Sequence, residues 1–351
     1  MNEGTFRVGF SADFWLPDGT PAYPDVDLAP LTSDPRIEIA VARPEGDVLT
    51  ARGLADLDAL VLFGPRVTAA SLPGDGRLGV VARFGVGYDK VDVAGLADAG
   101  VATCIAPQGA GRPVATAIMT LMLALAGRLL VKDKLARQGA AGFAERARHM
   151  GVGLTGRTLG SVGLGRIGSE LFRLARPFDM RHIAHDPWAD RGRAAELGVR
   201  LVELDDVFRE ADVVSLSCPL TEATRGLVSA PRIALMKPTA YLINTSRGPV
   251  VDQKALTEAL VERRIAGAGL DVFDPEPPDA ADPLLALDNV VVTPHALSWT
   301  DQGFALTGAA DIAAVLDVMR GREPEAIVDR RVLEHPAWRE RLARNRERFG
   351  G

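Results

Sequence analysis

Three side chains suited to proton transfer and anion binding follow predicted strands in the second half of the sequence. Arg247 lies in "LINTSRGPV", Glu276 in "GLDVFDPEPP", and His295 ends "VVVTPH". Ligands of open α/β sheets bind outside the carboxyl ends of the strands. We therefore expect an arginine, an acid and a histidine to converge on one rim of a sheet. Composition alone leaves Asp274 beside Glu276 as a second candidate for the acid that accompanies the histidine.

A glycine-rich hexapeptide, "GLGRIG", follows another apolar run and precedes the helix-compatible "SELFRLARPF". Gly163 permits a tight turn from strand to helix, Gly165 lets a pyrophosphate approach the backbone, and Gly168 permits close packing of the helix on the strand. The helix then points its N-terminal amides at the phosphates. The pattern predicts a dinucleotide site, although such glycines also mark ordinary turns.

Asp186 ends the next predicted strand, "RHIAHD". An acid at this offset accepts hydrogen bonds from the adenosine ribose hydroxyls and repels a 2′-phosphate, which favours NAD over NADP. The alternative is an ordinary aspartate that starts a turn before Pro187. Two nearby arginines, Arg191 and Arg193, weaken the preference for NAD.

Short, continuously apolar runs alternate with helical patterns along the chain, which is typical of parallel α/β folds. One series of runs ends near Pro107, and a second continues to His295. We place the last amphipathic segment, "QGFALTGAADIAAVLDVMRG", back on the first domain. The predicted domains are residues 1–107 with 296–351, and residues 108–295. The charged tail from residue 330 is expected to be a peripheral helix or partly disordered.

Composition excludes several classes of function. The 351 residues carry 40 basic and 46 acidic side chains, for a net charge of −6, without the basic patch of a nucleic-acid binder. The longest apolar run, from Ala117, is too short to span a bilayer, so we expect no membrane partner. Cys104 and Cys218 lack metal-ligand spacing, and no metal is expected. The first residues lack the pattern of a secretory signal, which favours a cytoplasmic protein.

The motifs, taken in order, resemble one family. They are "GLGRIG" with its aspartate, "CPLTEATRGLV", "LMKPTAYLINTSRGPVVDQKAL", "GLDVFDPEPP", "VTPH" and the earlier "ARFGVGYDKVDVAGLADAGV". In this order they are similar to the D-isomer-specific 2-hydroxyacid dehydrogenases over roughly residues 55 to 320. The resemblance implies an α/β fold with a Rossmann-type NAD-binding domain and a discontinuous, flavodoxin-like substrate-binding domain. It also implies an NAD-dependent enzyme that interconverts a D-2-hydroxy acid and its 2-oxo acid.

The resemblance assigns roles to the three side chains on the rim. It implies that Arg247 binds the keto and carboxylate oxygens of the substrate through its planar donors. Glu276 would orient His295 and favour its imidazolium form. His295 would give a proton to the carbonyl oxygen in reduction and take it back in oxidation.

The resemblance also implies the binding residues. Asp271 matches the position that holds the nicotinamide carboxamide, and the amides of Val86 and Gly87 match the loop that cradles the substrate carboxylate. The remaining expected cofactor contacts are Arg166, Ile167, Cys218, Pro219 and Thr245. The remaining expected substrate contacts are Phe84, Gly85 and Trp299.

The chain departs from the family at several positions. After "TPH" it continues "ALSWT", which puts bulk where the family often has small residues; we expect Leu297 to pack and Trp299 to form a pocket wall. Arg112 is either a solvated helix-entry residue or a contact to an anionic substrate group or a partner subunit. Leu62 stands where phosphoglycerate-specific members carry arginine, which disfavours a phosphorylated substrate, although Arg66 is nearby.

The helix around residues 117–130 has a face too apolar to leave exposed to solvent. The matching helix of the resembled family forms a two-fold dimer interface, so the resemblance implies a homodimer, with burial inside one subunit as the alternative. Two rival functions follow from the same resemblance. The related NAD-sensing corepressors keep the fold but add long disordered tails and partner-binding clefts, whereas this sequence carries only a short charged C-terminal segment, so we expect an enzyme instead. Dehydrogenases acting on phosphite or formate share the arginine and histidine, but formate enzymes replace the glutamate with an amide residue, so Glu276 argues against that branch.

Overall fold

The computed structural model describes residues 4–350. The chain forms two compact units. One comprises residues up to Ala110 together with those from Thr300, and the other comprises Gly111–Trp299. Each is an α/β unit built on a parallel sheet, which confirms the predicted fold class.

The first unit contains a five-stranded sheet in the order β2-β1-β3-β4-β5, with every pairing parallel. This is the flavodoxin-like strand order. The strands are β1 Phe6–Ser11, β2 Ile37–Ala42, β3 Ala59–Leu62, β4 Val80–Arg83 and β5 Ala102–Ile105; the helices between them are α1 Ala29–Thr32, α2 Ala51–Leu54 and α3 Val93–Asp98, with 3-10 turns at Ala12–Phe14 and Ala69–Ser71.

Alternating side chains of β3 explain why its sequence is apolar throughout. Ala59 and Val61 join a hydrophobic cluster on one face of the sheet, while Leu60 and Leu62 join another on the opposite face. A strand covered on both faces buries every residue. All four side chains are accordingly buried, with 0–1% of their surface exposed.

The second unit contains a seven-stranded parallel sheet in the order β12-β11-β10-β9-β6-β7-β8. The strands are β6 Thr158–Val162, β7 Arg181–His185, β8 Val199–Leu201, β9 Val213–Leu216, β10 Tyr241–Asn244, β11 Gly267–Leu270 and β12 Val290–Val292. Counted from β6, the six strands from β8 to β11 follow the Rossmann order 3-2-1-4-5-6. The strand order reverses between β6 and β9, so ligands are expected at the carboxyl ends of these two strands.

Helices cover this sheet. They are α4 Gly111–Gly127, α5 Leu129–Arg137, α6 Ala140–Glu145, α7 Arg166–Ala175, α8 Arg191–Glu196, α9 Leu204–Glu210, α10 Ala230–Ile233 and α11 Gln253–Val261, with 3-10 turns at Arg146–Arg148, Arg176–Phe178, Gly248–Val250 and Pro283–Ala286. The sequence predicts a single helical stretch over about 113–134. The structure divides it at Arg128, which adopts a left-handed conformation with φ of 51°, and α4 and α5 meet at 57°.

The chain returns to the first unit through α12 Asp301–Met319, a 3-10 turn Arg330–Glu334 and α13 Pro336–Phe349. α12 packs on β3, β4 and β5. The helix expected in the tail is present as α13, whereas the alternative of disorder is wrong. The helix is also more than peripheral, because Trp338 and Phe349 are 1% and 3% exposed and the Phe349 ring meets that of Phe6 edge to face.

Two stretches within residues 4–350 are long and apolar enough to cross a membrane by length and composition. They are α12, and α4 with α5 taken together across their bend. In α12, 56% of the apolar window is buried inside the protein.

Candidate active site

The glycine turn between β6 and α7 has the shape that a dinucleotide requires. Gly163 adopts φ of +103°, and a Cβ there would lie 2.6 Å from the carbonyl oxygen of Ser217, directly after the neighbouring strand β9. A Cβ on Gly168 would overlap the carbonyl oxygen of Gly163. At Gly165, by contrast, a Cβ would meet no atom within 4 Å. Two of the glycines therefore serve packing, and the third keeps the backbone open where a pyrophosphate would approach.

Asp186 follows β7 and binds the same turn. Its Oδ2 accepts a hydrogen bond of 2.8 Å from the amide of Leu164, inside the glycine motif, and its Oδ1 accepts one of 2.9 Å from the amide of Trp188. The carboxylate is thus held at the turn by two backbone donors. Because each carboxylate oxygen can accept more than one hydrogen bond, these contacts leave capacity for ribose hydroxyls. Arg166 and Ile167 begin α7, directly after the open glycine.

The loops after β9 and β10 carry the next expected cofactor contacts, Cys218, Pro219 and Thr245. The Ser246 hydroxyl donates a hydrogen bond to the Cys218 carbonyl, which ties the two loops together. The Thr245 hydroxyl oxygen is buried and has no hydrogen-bond partner among residues 4–350. A buried polar atom without a partner is unfavourable unless a ligand supplies one, so this rim fits a polar cofactor. Burial raises the pKa of the Cys218 thiol to about 11, which keeps it neutral.

Arg247 is presented from a loop held by buried contacts. Asn244, 1% exposed, accepts a hydrogen bond of 3.0 Å from the amide of Ser246 and donates one of 2.9 Å to the carbonyl of Arg247. A Cβ at Gly248 would overlap the carbonyl oxygen of Phe273, so the loop lies directly against the segment that leads to Glu276. The half-buried guanidinium donates through Nη1 to the carbonyl of Ser246 at 2.7 Å.

His295 and Glu276 contact each other directly. The imidazole Nδ1 lies 2.6 Å from Glu276 Oε1, and both side chains are 39% exposed. Burial raises the pKa of Glu276, but the hydrogen bond and charge of His295, together with the Phe273 amide and Arg247, outweigh it and hold that pKa below its usual value. The acid is therefore a carboxylate at neutral pH, and Nε2 is the ring nitrogen left for a ligand.

Asp274, the second candidate for the histidine's partner, makes no hydrogen bond to His295 in the part of the chain that the structure describes. Its backbone amide instead donates to Gln253 Oε1 at 2.9 Å. The geometry selects Glu276 over Asp274.

Asp271 lies at the carboxyl end of β11 and is 3% exposed. Its Oδ1 accepts hydrogen bonds from the Thr293 hydroxyl at 2.7 Å and from the amides of Ala296 and Leu297 at 3.1 Å and 3.2 Å. The carboxylate therefore lies under the loop that carries His295. Asn244 and Thr293 bind the loops that carry Arg247 and His295, and the sequence analysis did not single them out although both lie inside its quoted motifs. A polar side chain at the end of an apolar strand was the available signal.

The expected substrate loop belongs to the first unit. Phe84 directly follows β4 and is 4% exposed, and Gly85 adopts φ of +106° while its carbonyl accepts the Ala106 amide at 2.8 Å. Val86 and Gly87 are half-buried. The structure thus places these four residues on one unit, and Arg247, Glu276 and His295 on the other.

The positions that depart from the family pattern differ in their burial and contacts. Leu297 packs on the hydrophobic cluster of the second unit, whereas Trp299 is 45% exposed. Arg112 forms an ion pair of 2.6 Å with Glu170. Leu62 is fully buried.

Arg66, the nearby arginine, forms an ion pair in which its Nε lies 3.8 Å from Asp47 Oδ2. Within residues 4–350, no group of three or more histidine, cysteine, aspartate or glutamate side chains is arranged to hold a metal ion.

Comparison with known proteins places this geometry in context. Residues 119–296 match the family described as D-isomer specific 2-hydroxyacid dehydrogenase, NAD binding domain. A glyoxylate reductase of Korarchaeum cryptofilum is 39% identical over 295 residues, which are 84% of this chain and 89% of that protein. A D-3-phosphoglycerate dehydrogenase of Methanocaldococcus jannaschii is 37% identical over 312 residues, or 85% of this chain, which spans only 59% of that relative's length.

Solved structures agree in fold. A protein from Thermus thermophilus is 32% identical, with a TM-score of 0.80 over 92% of this chain and 100% of that one. The apo D-lactate dehydrogenase of Escherichia coli is 25% identical, with a TM-score of 0.76 over 92% of this chain and 100% of its own.

Proposed function

Because the chain belongs to the D-isomer specific 2-hydroxyacid dehydrogenase family, we propose that it interconverts a D-2-hydroxy acid and its 2-oxo acid, with His295 as the acid and base. Membership of the family makes it an NAD-dependent oxidoreductase. The observation that carries the finer proposal is the 2.6 Å contact between His295 Nδ1 and Glu276 Oε1, because it leaves Nε2 able to exchange a proton with a substrate oxygen.

The role proposed for each side chain in the reduction follows from its chemistry. Bound NADH supplies the hydride that reduces the carbonyl carbon. His295 gives the Nε2 proton to the carbonyl oxygen, so that one hydride and one proton convert the ketone into an alcohol. Glu276, kept ionised, stabilises the imidazolium before transfer. Arg247 holds the carboxylate and steadies the charge that develops on the oxygen.

The two units have separate proposed roles. We assign cofactor binding to residues 108–295, with the open Gly165, the anchored Asp186 and the unpartnered Thr245 hydroxyl in support. We assign substrate binding to residues 1–107 with 296–351, where the amides of Val86 and Gly87 would receive the carboxylate. Asp271 would also contact the nicotinamide carboxamide, and Trp299 would form part of the pocket wall.

We also propose a homodimer. Exposed apolar side chains accumulate on α4, α5, α6 and the segment after them, and a homodimer interface would bury them. They are Leu123, Leu129, Leu130, Phe143 and Met150, which are 42–76% exposed. The oligomeric state, measured by light scattering for the wild type and for Leu130→Glu, tests this: a dimer that Leu130→Glu dissociates is expected, and a monomeric wild type would contradict it. A cytoplasmic location is proposed as well, consistent with the free thiols of Cys104 and Cys218.

The reaction is tested by following NADH oxidation with a panel of 2-oxo acids that includes glyoxylate, hydroxypyruvate, pyruvate, and aromatic and sugar-derived acids. One or more acids should be reduced, with the D-hydroxy acid as product and with NADH preferred over NADPH. A wild-type protein that binds NADH but reduces no member of the panel, or that forms L products, would refute the proposal.

A further inference from the structure

We propose that Asp271 and Thr293 form a clamp that holds the backbone of His295 in an unusual conformation, so that its imidazole stays against Glu276. The catalytic consequence rests on the function proposed above. The clamp itself is formed by contacts within residues 271–297 and joins the Arg247 loop through Asn244.

The first observation is the concentration of donors on one oxygen. Asp271 Oδ1 receives the Thr293 hydroxyl at 2.7 Å and the amides of Ala296 and Leu297 at 3.1 Å and 3.2 Å. These donors lie on both sides of His295 in the chain. A single buried carboxylate oxygen therefore fastens the loop immediately before and immediately after the imidazole.

The second observation is the conformation that these bonds enclose. His295 has φ of 53°, a left-handed conformation that residues other than glycine adopt rarely. Its amide donates to the Thr293 carbonyl at 3.1 Å, which closes a tight turn around the intervening proline. Such conformations persist where surrounding contacts fix them, and they are frequent at functional sites.

The third observation links the clamp to the arginine loop. The Asp271 amide donates to the Asn244 carbonyl at 3.0 Å, and the Asn244 side chain binds the Arg247 carbonyl at 2.9 Å. The Thr293 amide also donates to the Leu270 carbonyl at 2.9 Å. One connected set of hydrogen bonds thus positions both the histidine and the arginine. Thr293 acts through His295 and is a positioning residue.

The test compares three variants. Thr293→Val keeps the shape of the side chain but removes the hydroxyl, whereas Thr293→Ser keeps the hydroxyl. Thr257→Val is the matched control, because it makes the same change on α11, where the hydroxyl bonds only the Gln253 carbonyl of its own helix. For each variant we would measure kcat and KM for the best 2-oxo acid, and the NADH dissociation constant by fluorescence.

A loosened histidine lowers turnover without weakening cofactor binding. Thr293→Val should reduce kcat about tenfold. Its KM and its NADH dissociation constant should stay within about twofold of the wild type, while Thr293→Ser and Thr257→Val should turn over at close to the wild-type rate. An unchanged kcat in Thr293→Val would overturn the inference. So would equal losses in Thr293→Val and Thr293→Ser, because the hydroxyl would then not be the cause.

A second readout does not depend on turnover. A proton shared between His295 Nδ1 and Glu276 should give a downfield proton resonance, assigned by its disappearance in His295→Gln. The resonance should remain in Thr293→Ser and broaden or vanish in Thr293→Val. If it persists in Thr293→Val, the clamp is refuted; if no 2-oxo acid is reduced by the wild type but the resonance responds as expected, the proposed function fails and the clamp stands.

Discussion

Replacing Glu276 by glutamine tests how the charge behind the imidazole contributes to the reaction. The substitution keeps an oxygen that can accept the Nδ1 proton and removes only the charge. A neutral hydrogen bond contributes about 1 kcal/mol net, and one to a charged group about 1.5–3 kcal/mol. Since both side chains are 39% exposed, solvent screens part of the difference, and about 1 kcal/mol of imidazolium stabilisation should be lost. This corresponds to a roughly fivefold lower kcat/KM for reduction near neutral pH.

The pH dependence makes this prediction specific. Because its lowered pKa keeps Glu276 ionised from pH 5 to 9, the reduction rate of Glu276→Gln should stay below that of the wild type throughout this range. The pKa of Glu276 is lowered in the fold, so its contribution to stability is present above the usual glutamate pKa and is lost as pH falls through the folded value. The stability difference between the wild type and Glu276→Gln should therefore vanish in acid.

The assay is steady-state NADH oxidation between pH 5 and 9, with thermal unfolding measured over the acid range. Asp274→Asn is the control, because it removes the same charge two positions away without a hydrogen bond to His295. It should leave both profiles unchanged. Identical pH–rate profiles for the wild type and Glu276→Gln, or an equal shift in Asp274→Asn, would refute the reasoning.

Three further predictions concern residues outside this pair. Burial raises the pKa of the Asp311 carboxyl well above its usual value, and neither of its oxygens has a hydrogen-bond partner in the described part of the chain. Because this pKa is raised in the fold, the wild type loses stability as pH rises, by about 1.4 kcal/mol per pH unit until the folded pKa is passed. Asp311→Asn should therefore raise the melting temperature at pH 7 and not at pH 4. A gain in melting temperature that does not depend on pH would contradict this. Arg341 is 4% exposed and donates to two backbone carbonyls at 2.6 Å and 3.0 Å. Arg341→Met should therefore lower the free energy of unfolding, measured by urea titration, by about 2–4 kcal/mol. A loss smaller than the error of the titration would be contrary evidence. Gly165→Ala should weaken NADH binding about tenfold or more with stability unchanged. Gly168→Ala should instead destabilise the fold, because its Cβ would overlap the Gly163 carbonyl. If Gly165→Ala destabilised the fold and Gly168→Ala weakened only NADH binding, a pyrophosphate at Gly165 would be excluded.

The sheets were predictable because burial on both faces leaves a direct mark on the sequence. The strands other than β8 lie in short apolar runs of the sequence. The exception is β8, Val199–Leu201, whose three residues are too few to establish a pattern. The break at Arg128 was missed because helical periodicity continues through it, and only its left-handed backbone separates the two helices.

The burial of the C-terminal helix was not predictable, for a different reason. Half of the residues of α13 are charged, but Trp338 and Phe349 are inserted into the first unit and Arg341 is buried on backbone carbonyls. A few buried side chains hold in place a helix whose composition predicts exposure to solvent. Such anchoring depends on distant chain segments and has no local signature.

At the candidate site, residue types and spacing selected Arg247, His295 and an acid that was either Glu276 or Asp274. The family resemblance chose Glu276, and the structure shows Glu276 and His295 in contact. The contacts that orient them were not predictable. Which amides point at Asp271, and which hydroxyl joins them, depends on how two loops approach each other after the strands have paired. Motif spacing indicates which strand a residue follows. It does not indicate how the loops after two strands contact each other.

We propose that the imidazole of His295 moves the proton that accompanies the hydride. The most direct measurement is the single-turnover rate of NADH oxidation by His295→Gln with the best 2-oxo acid, alongside the NADH dissociation constant. The account predicts a fall in rate of at least about a hundredfold with cofactor binding unchanged. A rate equal to that of the wild type would contradict it.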